Sequence, residues 1–197
     1  MPRLTEKTRQ DRREQIAAAA MACFTRQGFA ATSMADIITE SGLSAGSIYS
    51  HFSGKADLMR FASTMKLQST FGLLLGDLGT PPSVIRPGVL LRHLLTGAAG
   101  QRAQRGLLAQ IWIESARDGE LSVIVHENLA QIHDRLQTVL LPWAQEQDTT
   151  AARDTAGGMA DAVMAVMQGF MVRLTVDPAL DADALASRLS TALDALD

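Results

Sequence analysis

Residues 42–52 read GLSAGSIYSHF, eleven positions without a lysine, arginine, aspartate or glutamate, set between segments that carry charge. Glycine at 42 suits the left-handed position that ends a helix, and the Ser44 hydroxyl suits the start of the next one. At about 100° per residue, turning Ile48 inward puts Gly46 and Ser50 nearly opposite, Ser47 and Tyr49 on the flanks, and Ala45 and His51 nearer the core edge. Phe52 returns inward beside Ile48. The outer face is small, hydroxylated and aromatic at its tip, so this helix can bring its backbone close to whatever surface it meets.

Upstream, Ser33 to Asp36 fits a loose capping box, and Met34, Ile37, Ile38 and Ser41 form the inward stripe of a helix closed by Gly42. Two helices joined by SGLS are the pattern of a helix-turn-helix, whose second helix enters the major groove of DNA. A supporting helix from near Thr8 to Gly28 carries Ile16, Ala20, Cys23 and Phe24 on one face. Downstream, Ser53 can cap a helix beginning around Lys55, with Leu58, Phe61, Ala62 and Met65 inward. That stripe continues through Phe71, Leu74, Leu75 and Leu78 to GTPPSVIRPG, residues 79–88, where three prolines and two glycines mark a loop. Beyond it the periodicity predicts helices near 88–99, 102–117, 120–145, 150–175 and 181–196. Pro142 is expected to bend or end the third of these. The chain reads as all-α.

A chain of 197 residues accommodates one large domain or a small one joined to a medium one. Hydrophobic residues at 47% and charged residues at 20% are ordinary globular proportions. The longest apolar run, Ile16 to Phe24, has nine residues, short of the roughly 20 of a membrane span. The N-terminus lacks the apolar segment of a secretory signal. No membrane association and a cytoplasmic location are therefore expected. Cys23, the single cysteine, excludes an internal disulfide and fits a core position. The net charge of −3 conceals an asymmetry: residues 1–66 carry nine basic and six acidic residues, a balance of +3, and the remainder −6. A basic head on an acidic body suits local attraction to phosphate better than a global basic coat.

Serine and histidine can hydrogen-bond phosphates or base edges, and tyrosine can add packing on sugar or a thymine methyl. Attraction to the backbone can come from Lys55, from helix N-termini and from the arm bearing Arg3, Lys7, Arg9, Arg12 and Arg13. Residues 16–59, IAAAAMACFTRQGFAATSMADIITESGLSAGSIYSHFSGKADLM, resemble the DNA-binding domain of the tetracycline-repressor (TetR-type) family. The match runs through Phe24, Gly28, Thr32, Ser33, Ile37, Gly42, Ser44, Gly46, Ile48, Tyr49, His51, Phe52, Lys55 and Leu58. The resemblance implies a three-helix head over 1–54 and a helical effector-binding and dimerisation domain over 55–197. It places Ser33, Ala45, Gly46, Ser47, Tyr49, His51 and Lys55 at DNA, with Ser44 as cap; Ser50 joins them by its outward register. Ala35 and Ala45 stand where many members of that family carry longer polar or basic side chains, so base reading there is weaker or apolar.

In the body, Met159, Val163, Val166, Met167, Phe170, Met171 and Leu174 share one face of the penultimate helix, and Leu185, Leu189, Ala192, Leu193 and Leu196 one face of the last. Such stripes form core or half of an intersubunit bundle, and the resemblance favours a homodimer. Its expected interface is Met159, Val163, Val166, Met167, Phe170, Leu185, Leu189 and Leu193. Candidates for an effector pocket are Phe61, Met65, His93, Trp112, His133, Met167 and Phe170, with Glu114 and His126 less favoured. An apolar cavity of this kind suits a hydrophobic or amphipathic ligand. HENLAQIHD, residues 126–134, is the best case for catalysis, but zinc-protease spacing requires a histidine where Ala130 stands. No phosphate loop or nucleophile motif appears, and neither metal nor cofactor is implied. The expectation is a ligand-responsive DNA-binding regulator, a repressor acting on a palindromic operator. The alternatives are an activator or a helical interaction protein that does not bind DNA.

Overall fold

The computed structural model describes residues 6–76, 84–100, 102–147 and 150–195. Among them every regular element is helical, in the order α1 (Glu6–Gln27), α2 (Met34–Ser41), α3 (Ala45–Tyr49), α4 (Lys55–Gly76), α5 (Pro87–Ala99), α6 (Arg102–Ser115), α7 (Gly119–Gln147), α8 (Ala152–Val176) and α9 (Ala182–Asp194). The all-α reading therefore stands. Arg3, Leu78, Leu196 and the first part of the expected 79–88 loop lie outside the described residues, as do the side chains of Phe71, Leu74 and Leu75.

Local chemistry accounts for the boundaries. Gly28 ends α1 with φ +83° and Gly42 ends α2 with φ +66°, backbone that glycine adopts at little cost. The residue 181 carboxylate opens α9 by accepting from the Ala184 N–H at 2.9 Å. Around α4 the expected roles are reversed. Ser53 donates its N–H and hydroxyl to Asp57 Oδ2, at 2.9 and 3.1 Å, so Asp57 does the capping. Pro142 does not end α7, which runs on to Gln147. Val139, Leu140, Trp143 and Ala144 are buried on either side of it, and that packed face carries the helix past the missing N–H.

One buried core extends from Ile16 in α1 to Leu193 in α9. In the head, Ile16, Ala20, Phe24, Ile37, Ile48, Phe52 and Leu58 are almost wholly buried. In the body, α8 lies along α7 and α9 along α5. An aspartate joins the last pair: Asp194 Oδ1 accepts from the Gly88 N–H at 2.8 Å. A side chain at residue 88 would collide with that carboxylate.

Much of the expected dimer stripe lies in the core of one chain. Val163, Met167, Phe170, Leu185 and Leu193 are buried inside a single chain, and Met159, Val166 and Leu189 are half-buried against its core. Helical period reveals which face is covered but not whether the cover is the same chain. α8 also qualifies a point about membranes. It has an 18-residue window of mean hydropathy 1.3, long and apolar enough to cross a bilayer by length and composition, although no uninterrupted apolar run approaches that length. Its apolar face packs on α7, α5 and α6.

Candidate nucleic-acid interface

The head presents α3 at its surface through a chain of local capping contacts. The Asp36 N–H donates to Ser33 Oγ at 3.2 Å, and the Ser33 N–H to Asp36 Oδ2 at 2.8 Å, closing the capping box. The hydrogen bonds that Ser33 donates hold the Asp36 carboxyl below its ordinary value. Ser44 Oγ accepts from the Ser47 N–H at 3.2 Å and starts α3. The helix itself ends at Tyr49, but the Phe52 N–H still reaches the Ile48 carbonyl at 3.0 Å. Ile48 and Phe52 thereby anchor the C-terminal side of the element in the core.

Outside that anchor, Ser44, Ala45, Gly46, Tyr49 and Ser50 are exposed, with Ser47 half-buried. Tyr49 is a large apolar ring at 54% exposure. A Cβ at Gly46 would meet nothing within 4 Å, so the backbone is bare on this side. Ser33 is exposed at the start of α2 and belongs to the same hydroxyl-rich region. Ser50 Oγ donates to the Ser47 carbonyl at 2.7 Å, leaving its oxygen as an acceptor.

Two candidate residues differ from the sequence expectation. The Lys55 ammonium donates to the carbonyls of Phe29 at 3.0 Å and Thr32 at 2.8 Å, and lies 4.5 Å from the Phe29 ring centroid. Lys55 thus fastens the α1–α2 connection to the start of α4. Two of its three donors are thus held by main-chain carbonyls. His51 is half-buried, and its Nδ1 is buried without a hydrogen-bond partner. Burial lowers its basicity, with Arg9, Arg13 and Arg12 adding repulsion. The imidazole is therefore held toward its neutral form.

The basic arm also changes character. From Glu6 onward it is the first turns of α1, and Arg13 folds inward. Its guanidinium carbon lies 4.5 and 4.3 Å from the ring centroids of Phe52 and Phe61. Its Nη1 donates to the His51 carbonyl at 3.1 Å. Phe61, expected near an effector, instead packs against Phe52 at 5.4 Å between centroids. Arg13, Phe29 and the buried Thr32, whose hydroxyl donates to the Gly28 carbonyl at 2.7 Å, are the supporting residues that sequence reasoning did not single out for this role. A cation two to four residues before an apolar stripe was the available signal for Arg13.

The effector candidates do not converge on one cavity. Met65 lines a groove of about 480 Å³ between α1 and α4. Trp112 lines another of about 740 Å³ across α6, α7 and α8. His93 is exposed on α5, whereas Met167 and Phe170 are core. His133 lies 3.6 Å from both Asp134 and Asp161, Glu114 is half-buried and His126 is exposed. Among the described residues no group of acidic, histidine and cysteine side chains is arranged to hold a metal.

An exposed, capped recognition helix in a three-helix head defines a DNA-binding regulator of the helix-turn-helix class. Known proteins agree. Residues 16–60 match the family described as bacterial regulatory proteins, tetR family. The HTH-type transcriptional regulator AcrR of Shigella flexneri is 31% identical over 149 residues, 71% of this chain and 67% of that protein. The chain belongs to the tetR family of bacterial regulatory proteins, whose members are transcriptional regulators and not enzymes. The fold extends over the body as well. The structure of a putative transcriptional regulator from Pseudomonas aeruginosa PAO1 superposes with a TM-score of 0.76 at 22% identity, covering 95% of this chain and 90% of that one. A putative regulator from Saccharomonospora viridis in complex with choline gives 0.71 at 20% identity, covering 92% and 95%.

Proposed function

We propose that this regulator is a ligand-released repressor that grips a palindromic operator as a homodimer, with the head over 1–54 reading DNA and the body over 55–197 sensing and pairing. The observation that carries the reading is the surface of α3: an exposed tyrosine beside a bare glycine backbone and four serine or alanine positions, held on two buried anchors. Ser33, Ala45, Gly46, Ser47, Tyr49 and Ser50 are the DNA-facing set, with Ser44 as cap. Lys55 acts from behind by fastening the α1–α2 connection to the start of α4, and Arg13 by holding the His51 carbonyl.

Pairing uses the face of α8 that its own chain leaves uncovered. Gly158, Ala165, Gly169, Val172 and Val176 are all exposed, and at about 100° per residue they fall within about 60° of one another. The groove at Trp112 opens along the same line, sharing Ala165, Gly169 and Val172. Small residues on such a line let two helices approach closely, and a twofold dimer then presents two copies of α3 to successive half-sites about 34 Å apart. The choline-bound relative in fold supports a body that takes a small molecule. A ligand acts by binding more tightly to the conformation that cannot hold both half-sites.

Selection of bound duplexes from a random pool, followed by a screen for compounds that release them, tests the reading. Two inverted half-sites and at least one releasing compound are expected. Recovery of no preferred sequence rejects it, and a specific duplex that activates transcription when bound favours the activator alternative.

A further inference from the structure

The groove between α1 and α4 has a wall chemistry that the DNA-binding role leaves unused. Ala17, Ala18 and Met21 line it from α1, Ala62 and Met65 from α4, and Leu107 from α6. Its volume of about 480 Å³ is that of a small-molecule site, which runs from about 300 to 1,000 Å³. Three charged residues touch it: Glu14, Arg26 and Lys66. Two of them are occupied. Glu14 accepts from Gln10 Nε2 at 2.8 Å, and Arg26 pairs with Glu40 at 3.0 Å. Lys66 is half-buried, and among the described residues its ammonium makes neither hydrogen bond nor ion pair.

Burial pushes the basicity of Lys66 down. A partly dehydrated ammonium beside an apolar wall is satisfied by an anion that brings apolar surface with it. We propose that this groove binds an amphipathic organic anion, its apolar body lying on Ala18, Met21 and Met65 and its anionic group paired with Lys66 Nζ. The position gives such a ligand leverage. α1 belongs to the head and α4 runs from the head into the body, so a molecule seated between them favours a different angle between the two. This regulatory consequence rests on the ligand-release reading above; the binding site does not.

Calorimetric titration of the full chain with decanoate and with its neutral counterpart 1-decanol tests the site. Decanoate is expected to bind the wild type, and Lys66→Met to weaken it by about tenfold or more, the size of a lost charge-assisted hydrogen bond. The same variant should bind decanol no more weakly than wild type and unfold at no lower temperature, since it removes an unpaired charge. Ala18→Trp, which adds a ring at an exposed position, should weaken both ligands. Failure of the wild type to bind decanoate overturns the proposal, as does undiminished decanoate binding by either variant. If decanoate binds through Lys66 while a selected duplex remains bound, the site stands and its regulatory consequence fails. If other compounds release the duplex and decanoate does not bind, the reverse holds.

Discussion

Lys55 and His51 lie beside the exposed surface of α3 but contribute from beneath it. Lys55 donates to two main-chain carbonyls 26 and 23 residues earlier in the chain. Lys55→Met keeps the aliphatic stem and removes the donors, and should lower the stability of the head by about 1.5–3 kcal/mol, measured by urea unfolding. An unchanged midpoint would show that these bonds contribute nothing. His51 favours its neutral form in the folded chain, because burial and neighbouring arginines lower its proton affinity. The unfolded imidazole takes a proton near pH 6.5, so stability is complete above that pH and declines as pH falls through it toward the lower folded value. His51→Gln should flatten the dependence of melting temperature on pH between about 5 and 7; parallel curves for the two proteins would contradict the assignment. Neither role was legible in the sequence, since spacing along a helix does not say which distant carbonyl or ring a lysine or arginine will find. The caps at Ser33, Ser44 and Gly42 were legible because each is decided within four residues.

At the level of the element, two glycines in the helix-turn-helix separate folding from recognition. Gly42 sits at φ +66° with open space around its missing side chain, so Gly42→Ala strains only the backbone and should cost about 1–2 kcal/mol. Gly46 is helical and equally open, so Gly46→Ala should gain up to about 1 kcal/mol of stability. The added methyl on the groove-facing side nevertheless should weaken binding to a selected duplex. Thermal unfolding and anisotropy titration of both variants decide the matter: a Gly46→Ala protein that binds as well as wild type places α3 away from the groove. The stripe of α8 shows the limit of such pattern reading. Its period was correctly seen as buried, yet α7 and α5 of the same chain bury it, and the candidate pairing line is the smaller-residue face that hydrophobicity alone passes over.

For the whole molecule, the account requires two chains joined back to back, with their heads held by a continuous core. Within the body, Arg60 on α4 ties to Asp118 at 3.2 Å and Glu120 at 2.9 Å, at the turn that begins α7. Ala165→Arg places a charge on the uncovered face of α8 without entering the core. It should convert the dimer to monomer in sedimentation and weaken binding to a two-half-site duplex far more than binding to a single half-site. Retention of the dimer would move the interface elsewhere. The helical character of the body and its acidic charge could be read from the sequence; its cavities could not, because they depend on how helices far apart in the chain lean on one another.

The central claim is that the uncharged helix Ala45–Tyr49 reads DNA. Its most direct test is anisotropy titration, at one fixed salt concentration, of wild type and Tyr49→Ala against a pool-selected duplex and a scrambled one. The account predicts that the wild type prefers the selected duplex and that Tyr49→Ala, with an unchanged melting temperature, binds it about tenfold more weakly. Equal affinity of the two proteins for the selected duplex would contradict it.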